Sequence, residues 1–248
     1  MGHLMKTLVV SPTYNEAANI SELVARLFAL DVAGLELLVV DDNSPDGTAD
    51  AAEELAVGYP GRIHVLRKPG KEGLGPAYVA GFQRALELGA DRIIQMDADL
   101  SHSPEYIPEF LERLESHDVV VGSRYVPGGQ TDACWGRRRR LLSSAGNLYT
   151  RLVSGVRLRD PRSGFKGFRR EVLESMGLER LRSRGFVFQT EVASRCQQLG
   201  YRTAEVPILF YDRKAGTSKM SLNIIVEALW RLFLVRWSSR GIKRNVRV

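Results

Sequence analysis

The chain has 248 residues, of which 44% are hydrophobic and 26% are charged. This composition provides enough apolar material for a buried core and excludes a chain that is disordered throughout. The two cysteines, Cys134 and Cys196, are too few for a disulfide scaffold, so we expect a reducing, cytoplasmic compartment.

Charge is distributed unevenly along the chain. Residues 1–120 contain 9 basic and 20 acidic side chains (net −11), whereas residues 121–248 contain 26 basic and 9 acidic ones (net +17). Residues 124–170 alone hold 12 basic side chains against two acidic ones. Such a patch favours a phosphate, a polyanion or an anionic membrane surface as its partner. We do not expect nucleic acid, because no zinc-finger, recognition-helix or aromatic RNA-binding pattern accompanies the charge.

In the first hundred residues, short buried strands alternate with amphipathic helices. The sequence predicts strands at residues 7–10, 36–40, 63–67 and 93–96, and helices at residues 17–30, 48–57 and 76–88. This alternation predicts an α/β fold with a mostly parallel central sheet and helices on both faces. Ligands bind beyond the carboxyl ends of the strands in such sheets, where polar strings occupy residues 12–16, 41–47 and 97–102.

The second half is less regular. It predicts strands at residues 118–122 and 203–211, and helices at residues 141–152, 171–176, 190–199 and 222–235. The first residues do not form a secretory signal, and no apolar run is long enough to span a bilayer. The sequence contains no repeats and no Pro/Ser-rich linker, so we expect one main domain at residues 6–219. We further expect a cloning remnant at residues 1–5 and an amphipathic helix with a basic tail at residues 220–248.

Several common enzyme signatures are missing from the sequence. The GLGPAY string at residues 73–78 lacks the third glycine of a dinucleotide fingerprint, and neither a P-loop nor a G-x-S-x-G motif occurs. What remains is QMDADLSH at residues 95–102, where Asp97 and Asp99 follow a predicted strand. Two carboxylates at a strand end suit Mg²⁺ or Mn²⁺ carried by a diphosphate, and an acidic turn that caps the next helix is the alternative.

Six motifs in order give this acidic pair a context. They are PTYNE (12–16), VVDDNSPDGT (39–48), MDADLSHSPE (96–105), VVGSRY (120–125), GFVFQTEV (185–192) and EVPILFYDRKAGTSK (205–219). On these motifs the chain resembles glycosyltransferase family 2, which has the GT-A nucleotide-diphospho-sugar transferase fold. Within that family it resembles the dolichol or polyprenol monophosphate mannose synthases. The resemblance covers the main domain and implies that this domain is catalytic.

The resemblance implies one site with two parts. GDP-mannose would be held by Pro12, Tyr14, Glu16, Asp42, Lys71 and Asp97, and the metal, Mg²⁺ or Mn²⁺, by Asp97 and Asp99. The phosphate of a polyprenyl acceptor would be held by Arg124, Arg139, Ser143, Arg213 and Lys219. The implied catalytic residues are Asp99, Arg124, Arg139 and Arg213. Gln189 and Glu191 would orient sugar hydroxyls, or else form a polar pair at the start of a helix.

Two positions depart from the family pattern. Ser101 stands where some relatives have Gln as a further metal ligand, and Pro161 and Arg162 follow Asp160 where relatives usually continue toward Thr. Water would then complete the metal coordination, and the role of the segment after Asp160 is open.

The implied acceptor also determines the chemistry. A phosphate monoester has a second pKa of about 6 and is largely a dianion near neutral pH, so it needs no strong general base. Catalysis must instead hold two mutually repelling anions within attacking distance, a task that suits a metal and arginines. The resemblance further implies inversion, which converts an α-linked donor into a β-linked mannosyl phosphate.

A polyprenyl acceptor also requires contact with a membrane. The predicted helix at residues 222–235 has an apolar stripe and basic flanks, which indicates an interfacial helix or, alternatively, a core helix. We therefore expect peripheral attachment to an anionic membrane surface at the cytoplasmic face. A membrane-embedded protein partner that aids this attachment is compatible with the sequence. Two other functions remain open: glycosyl transfer from a UDP-sugar such as UDP-glucose, and a non-catalytic subunit that binds a nucleotide sugar and recruits a partner to the membrane.

Overall fold

The structure is a computed structural model that describes residues 4–212, 232–233 and 235–236. The predictions for Arg213, Lys219 and most of the 222–235 helix lie outside these residues.

A seven-stranded sheet forms the centre of the molecule. Its strands are β1 (Thr7–Thr13), β2 (Leu35–Asp41), β3 (Ile63–Arg67), β4 (Arg92–Gln95), β5 (Val119–Ser123), β7 (Lys166–Arg169) and β8 (Thr203–Pro207). Their order is β3-β2-β1-β4-β7-β5-β8. Neighbouring strands are parallel except at β7, which runs antiparallel to both β4 and β5. Two short strands, β6 (Gln130–Thr131) and β9 (Leu209–Phe210), pair separately.

Helices cover both faces of this sheet, as the sequence predicts. They are α1 (Ala17–Phe28), α2 (Thr48–Gly58), α3 (Leu74–Glu87), α4 (Ile107–Leu114), α5 (Arg137–Ser154), α6 (Arg170–Met176) and α7 (Val187–Gln198). One hydrophobic cluster joins the sheet to α1, α2 and α4, and a second joins it to α3, α6 and α7. Val9 of β1 belongs to the first cluster and Leu8 and Val10 to the second, because successive side chains of a strand point to opposite faces.

The described residues near the C-terminus pack on the domain. Leu232 and Val235 are buried against Val187, whereas the neighbouring Phe233 is 52% exposed. The guanidinium of Arg236 donates to the carbonyl oxygen of Leu152 at 3.1 Å. At these positions the contacts favour the core-helix alternative. None of the helices in the described part of the chain combines the length and the apolar character needed to cross a bilayer.

Candidate functional site

The carboxyl ends of four parallel strands bring the acidic half of the site together. Because β3, β2, β1 and β4 are adjacent, the residues that follow them lie along one edge of the sheet. The edge is tied by backbone hydrogen bonds, from the Asp42 amide to the Thr13 carbonyl (3.1 Å) and from the Lys68 amide to the Asp41 carbonyl (2.8 Å). The candidate nucleotide-sugar residues after β1, β2 and β4 are thus neighbours in space.

Asp41 organises the loops at this edge. Its carboxylate accepts hydrogen bonds from the Thr13 hydroxyl (2.9 Å), the Ser44 amide (2.8 Å) and the Ser44 hydroxyl (2.5 Å). Asn15 and Asn43 have φ of 62° and 59°, in the left-handed region that asparagine tolerates better than most residues. Asp41 is not among the predicted site residues, although an Asp at the start of a turn is typical of a turn stabilised by its side chain.

Asp42, a predicted nucleotide-sugar residue, is buried and paired. Its Oδ1 accepts a hydrogen bond from Lys68 Nζ at 2.9 Å, and the same ammonium lies 2.9 Å from Glu72. Burial acts to lower the pKa of Lys68, but the hydrogen bonds with Glu72 and Asp42 outweigh it and raise this pKa. The negative charge of Asp42 is therefore already balanced by Lys68.

Tyr14 and Lys71 contact each other at the same edge of the sheet. Lys71 Nζ lies 3.4 Å from the centre of the Tyr14 ring, which is a cation–π contact. Glu16 follows Tyr14 at the entrance to α1, where its amide donates to the Thr48 hydroxyl (3.0 Å) and its carboxylate accepts from Asn19 (2.7 Å). The structure thus brings Tyr14 and Lys71 together, whereas Glu16 serves the start of a helix.

The carboxylates of Asp97 and Asp99 are each oriented by a hydroxyl group. The Tyr78 hydroxyl donates to Asp97 Oδ1 at 2.7 Å. The amide and hydroxyl of Ser101 donate to Asp99 Oδ1 at 3.0 and 2.6 Å. Burial, and next the charge of Asp97, raise the pKa of Tyr78 well above its ordinary value, so Tyr78 remains a proton donor. As the last residue of the GLGPAY string, Tyr78 has no role that the sequence pattern predicts.

The donor set at this strand end fits a divalent cation that arrives with a diphosphate. A Cβ on Gly164 would lie 3.0 Å from Asp97 Oδ2 and 3.1 Å from His102 Cε1, so the glycine keeps the space beside this carboxylate open. Within residues 4–212, no group of three or more acidic, histidine or cysteine side chains could form a dedicated metal cage. Two carboxylates suffice for Mg²⁺ or Mn²⁺ when phosphate oxygens and water supply the other ligands.

Phe210 in β9 links the acidic half to the basic half of the site. Its ring centre lies 5.3 Å from that of His102 and 6.1 Å from that of Trp135. The guanidinium carbon of Arg124 lies 5.1 Å from the same ring centre. His102 Nδ1 in turn is 3.9 Å from Asp97 Oδ2. Asp97 of the predicted metal pair and Arg124 of the predicted acceptor set are therefore linked through His102 and Phe210.

Arg124 is paired inside the protein. Its Nε and Nη2 donate to the two carboxylate oxygens of Asp160 at 2.7 and 2.9 Å, and its amide donates to Oδ2 at 3.2 Å. Although burial acts in the opposite direction, the charge and hydrogen bonds of Arg124 hold the pKa of Asp160 below its ordinary value. The guanidinium fork that the resemblance assigns to the acceptor phosphate is thus engaged with a carboxylate.

Arg139 and Ser143 are both on α5, one turn apart. Arg139 forms two hydrogen bonds with Asp212, at 2.7 and 3.0 Å, and its guanidinium carbon lies 3.9 Å from the centre of the Trp135 ring. The Ser143 hydroxyl is 2.8 Å from the hydroxyl of Tyr125, which follows β5. The contact between Ser143 and Tyr125 brings this face of α5 next to the end of β5.

The other predicted pair, Gln189 and Glu191, makes contacts within the protein. Gln189 Oε1 accepts hydrogen bonds from Lys166 Nζ (2.8 Å) and from the Gln95 amide, and all three side chains are buried. Glu191 accepts from the amides at residues 182 and 183, at 3.2 and 2.9 Å. Both side chains thus have partners within the protein, and their assignment to sugar hydroxyls stays a prediction. The sequence pattern does not identify Lys166, because its strand, β7, lacks an alternating apolar pattern.

The sequence was compared with known proteins and solved structures. The model of the family described as glycosyl transferase family 2 matches residues 8–177. A polyprenol monophosphomannose synthase of Mycolicibacterium smegmatis is 43% identical over 95% of this chain and 88% of its own length. An undecaprenyl-phosphate mannosyltransferase of Micrococcus luteus is 42% identical over 94% of each chain.

Two solved structures share the fold at low sequence identity. Glucosyl-3-phosphoglycerate synthase of Mycobacterium tuberculosis, solved with phosphoglyceric acid, has a TM-score of 0.66 and 20% identity, and covers 97% of this chain and 82% of its own. A mannosyltransferase of Pyrobaculum calidifontis, solved with GDP-Man and Mn²⁺, has a TM-score of 0.63 and 19% identity, and covers 98% of this chain and 66% of its own. The mostly parallel sheet with helices on both faces is thus that of the GT-A glycosyltransferases, as predicted.

Proposed function

This chain belongs to glycosyl transferase family 2, and we propose that it transfers mannose from GDP-mannose to a polyprenyl phosphate. The observation that carries the proposal is the chain of contacts around Phe210, which joins Asp97 after β4, through His102, to Arg124 after β5 and, through Trp135, to Arg139 on α5. The names of the two bacterial relatives support mannose as the sugar and a polyprenyl phosphate as the acceptor. The GDP-Man bound by the archaeal mannosyltransferase supports GDP-mannose as the donor.

The reaction needs little acid–base chemistry from the protein. A phosphate oxygen of the acceptor attacks the anomeric carbon, the bond from that carbon to the diphosphate oxygen breaks, and GDP leaves. Attack from the side opposite the leaving group gives the β-linked mannosyl phosphate. Because the acceptor dianion is already a nucleophile near neutral pH, the protein contributes mainly position and charge.

The acidic half holds the donor. Asp97 and Asp99 would hold Mg²⁺ or Mn²⁺, which neutralises charge on the leaving diphosphate. Tyr78 and Ser101 fix the two carboxylates through the hydroxyl hydrogen bonds described above. The side chains that follow β1, β2 and β3, including Tyr14 with Lys71 above its ring, would line the nucleotide end.

The acceptor reaches the site from a membrane that α5 contacts. Four arginines at residues 137–140 open this helix, and they are all exposed. Four leucines of the same helix, Leu141, Leu142, Leu148 and Leu152, are between 52% and 74% exposed. Exposed leucines beside exposed arginines suit an anionic lipid surface, where leucines enter the interface and guanidiniums meet headgroups. We place this surface at the cytoplasmic face of the membrane.

The test is a transfer assay with purified protein. It combines radiolabelled GDP-mannose or UDP-glucose with a short polyprenyl phosphate and Mg²⁺ or Mn²⁺, and NMR gives the anomeric configuration of the product. We expect a β-linked mannosyl lipid from GDP-mannose and at most traces of product from UDP-glucose. Faster transfer from UDP-glucose would replace the donor assignment, and no transfer from either donor would favour the non-catalytic recruitment subunit.

A further inference from the structure

The arginines that the family resemblance assigns to the acceptor phosphate already have carboxylate partners where the structure describes them. Arg124 is engaged at both ends of its fork by Asp160, and Arg139 by Asp212. The first pair is buried, so a phosphate that competes for Arg124 would have to leave Asp160 as an unpaired carboxylate inside the protein. Replacing the Arg124–Asp160 pair by an Arg124–phosphate pair is therefore unfavourable, and the acceptor phosphate needs another cation.

Arg162 is the cation that fits this requirement. Its guanidinium forms no hydrogen bond or ion pair with any residue in the described part of the chain, and none of its nitrogens is sealed from solvent. The residue is half-buried, and burial, followed by the charge of Arg124, lowers the pKa of Arg162, although the charge of Asp160 acts to raise it. A partly desolvated guanidinium without a hydrogen-bonded counter-ion is suited to bind an anion.

The position of Arg162 is fixed by its neighbours along the chain. The amide of Asp160 donates to Glu205 at 3.0 Å, and the amide of Arg159 donates to the same carboxylate at 2.8 Å. The Asn147 side chain of α5 donates to the Arg159 carbonyl at 2.5 Å. The loop that carries Arg162 is therefore clamped to β8 on one side and to α5 on the other.

The guanidinium lies against the same face of α5 as the predicted acceptor residues. A Cβ on Gly146 would be 2.9 Å from Arg162 Nη1, so the glycine makes room for the fork. Residues 139, 143 and 146 follow one another at helical spacing and share one face. Arg162 thus lies beside the face that carries Ser143 and Arg139.

We propose that Arg162 is the guanidinium that receives the phosphate of the polyprenyl acceptor, with Arg124 and Asp160 as the closed pair that positions it. The ligand is a phosphate monoester dianion, whose oxygens match the two donors of the fork. This inference rests on the proposed function, because it specifies which cation of that site holds the acceptor. It also gives a role to Arg162, a position at which the sequence departs from the family pattern.

The test is steady-state kinetics of Arg162→Gln with each substrate varied in turn. Loss of charge-assisted hydrogen bonds to a phosphate raises the KM for the polyprenyl phosphate about tenfold to hundredfold and leaves the KM for GDP-mannose near that of the unaltered protein. Arg162→Lys, which keeps the charge without the fork, recovers part of the loss. Arg157→Gln is the matched control, because Arg157 is an exposed arginine of the same basic segment, and its substitution changes neither KM.

Gly146→Ala is a second variant that keeps the charge. Its methyl group would meet the flexible tip of Arg162, so the protein folds but the fork is displaced, and the KM for the acceptor rises several-fold. An acceptor KM within twofold of the unaltered protein in both Arg162→Gln and Gly146→Ala overturns the inference. If the unaltered protein itself transfers no mannose to polyprenyl phosphate, the proposed function fails first, which separates the two failures.

Discussion

Asp160 and Lys166 are two fully buried charged side chains, and their hydrogen-bond partners differ in kind. Asp160 has a full set of partners around Arg124. Lys166 has only neutral hydrogen-bond acceptors, the Ser163 carbonyl and Gln189 Oε1. A paired buried charge is costly to break, whereas an unpaired one tends to lose its charge. Each side chain therefore gives a distinct measurable effect.

Asp160→Asn removes the counter-ion of a buried guanidinium. Because Arg124 then remains buried without a carboxylate, we expect the free energy of unfolding to fall by about 3–5 kcal/mol. Asp212→Asn is the control, since it breaks the ion pair with Arg139. Both side chains of this pair are about half exposed, so the pair contributes less than about 1 kcal/mol to the free energy of unfolding. Urea denaturation monitored by circular dichroism measures both. Equal losses in the two variants would contradict the distinction between the buried and the exposed pair.

Lys166→Met changes the dependence of stability on pH. Burial lowers the pKa of Lys166 from its ordinary 10.5 to about 7, although the charges of Asp160 and Asp97 act to raise it and that of Arg124 acts with burial. Between these two values the unfolded chain binds the extra proton, so this lysine makes the free energy of unfolding rise with pH by up to about 1.4 kcal/mol per unit.

The measurement is urea denaturation at several pH values between 6.5 and 9.5. The rise due to Lys166 should be missing from Lys166→Met, which should be more stable than the unaltered protein near neutral pH. Lys71→Met, at an exposed lysine, is the matched substitution. Identical pH slopes for Lys166→Met and the unaltered protein would show that Lys166 is not buried as described.

Among the elements, α5 has two faces of different character. One face carries Ser143 and contacts Tyr125 and Arg162, and the exposed face carries leucines behind four arginines. The helix is about 27 Å long. Under the proposed function, its exposed face would contact the membrane while the face with Ser143 lies beside the acceptor phosphate.

The paired substitution Leu148→Ser and Leu152→Ser tests the exposed face. We expect weaker co-sedimentation with vesicles that contain anionic lipid, because two leucines no longer enter the interface, and unchanged thermal stability, because neither side chain is buried. Val57→Ser on α2 is the control, since Val57 is 84% exposed on another helix. Unaltered vesicle binding by the double variant would move the membrane contact away from α5.

The sequence predicted the elements that have strong periodicity and missed those that depend on tertiary contacts. The strand at residues 63–67 is correct to the residue, and the six other predicted elements up to residue 96 are correct to within a few residues. The strand β7 was missed, because Lys166 is stabilised by partners elsewhere in the chain and Gly167 is required by its close approach to Ile94. Helix α4 was also missed, and the predicted strand at 203–211 is broken at Ile208 into β8 and β9.

At the scale of the whole molecule, the division of charge along the chain follows the division of the site. The strands of the acidic first half, β1 to β4, carry the predicted donor residues, and the elements of the basic second half carry the predicted acceptor residues. Strand β7 joins the two halves by pairing with both β4 and β5. The residue types in each half of the site could be predicted from the sequence. The pairing of Arg124 with Asp160 and the lack of a hydrogen-bond partner for Arg162 among the described residues could not, because they depend on long-range contacts.

The central claim is that the acidic half handles the metal-bound donor and the basic half handles the acceptor. The most direct measurement is transfer kinetics of Asp99→Ala and Arg139→Ala, with GDP-mannose and polyprenyl phosphate varied separately in Mg²⁺ and in Mn²⁺. We predict no product from Asp99→Ala with either metal, and from Arg139→Ala a raised KM for polyprenyl phosphate with the KM for GDP-mannose unchanged. Full turnover by Asp99→Ala, or a change confined to the donor KM in Arg139→Ala, would contradict the account.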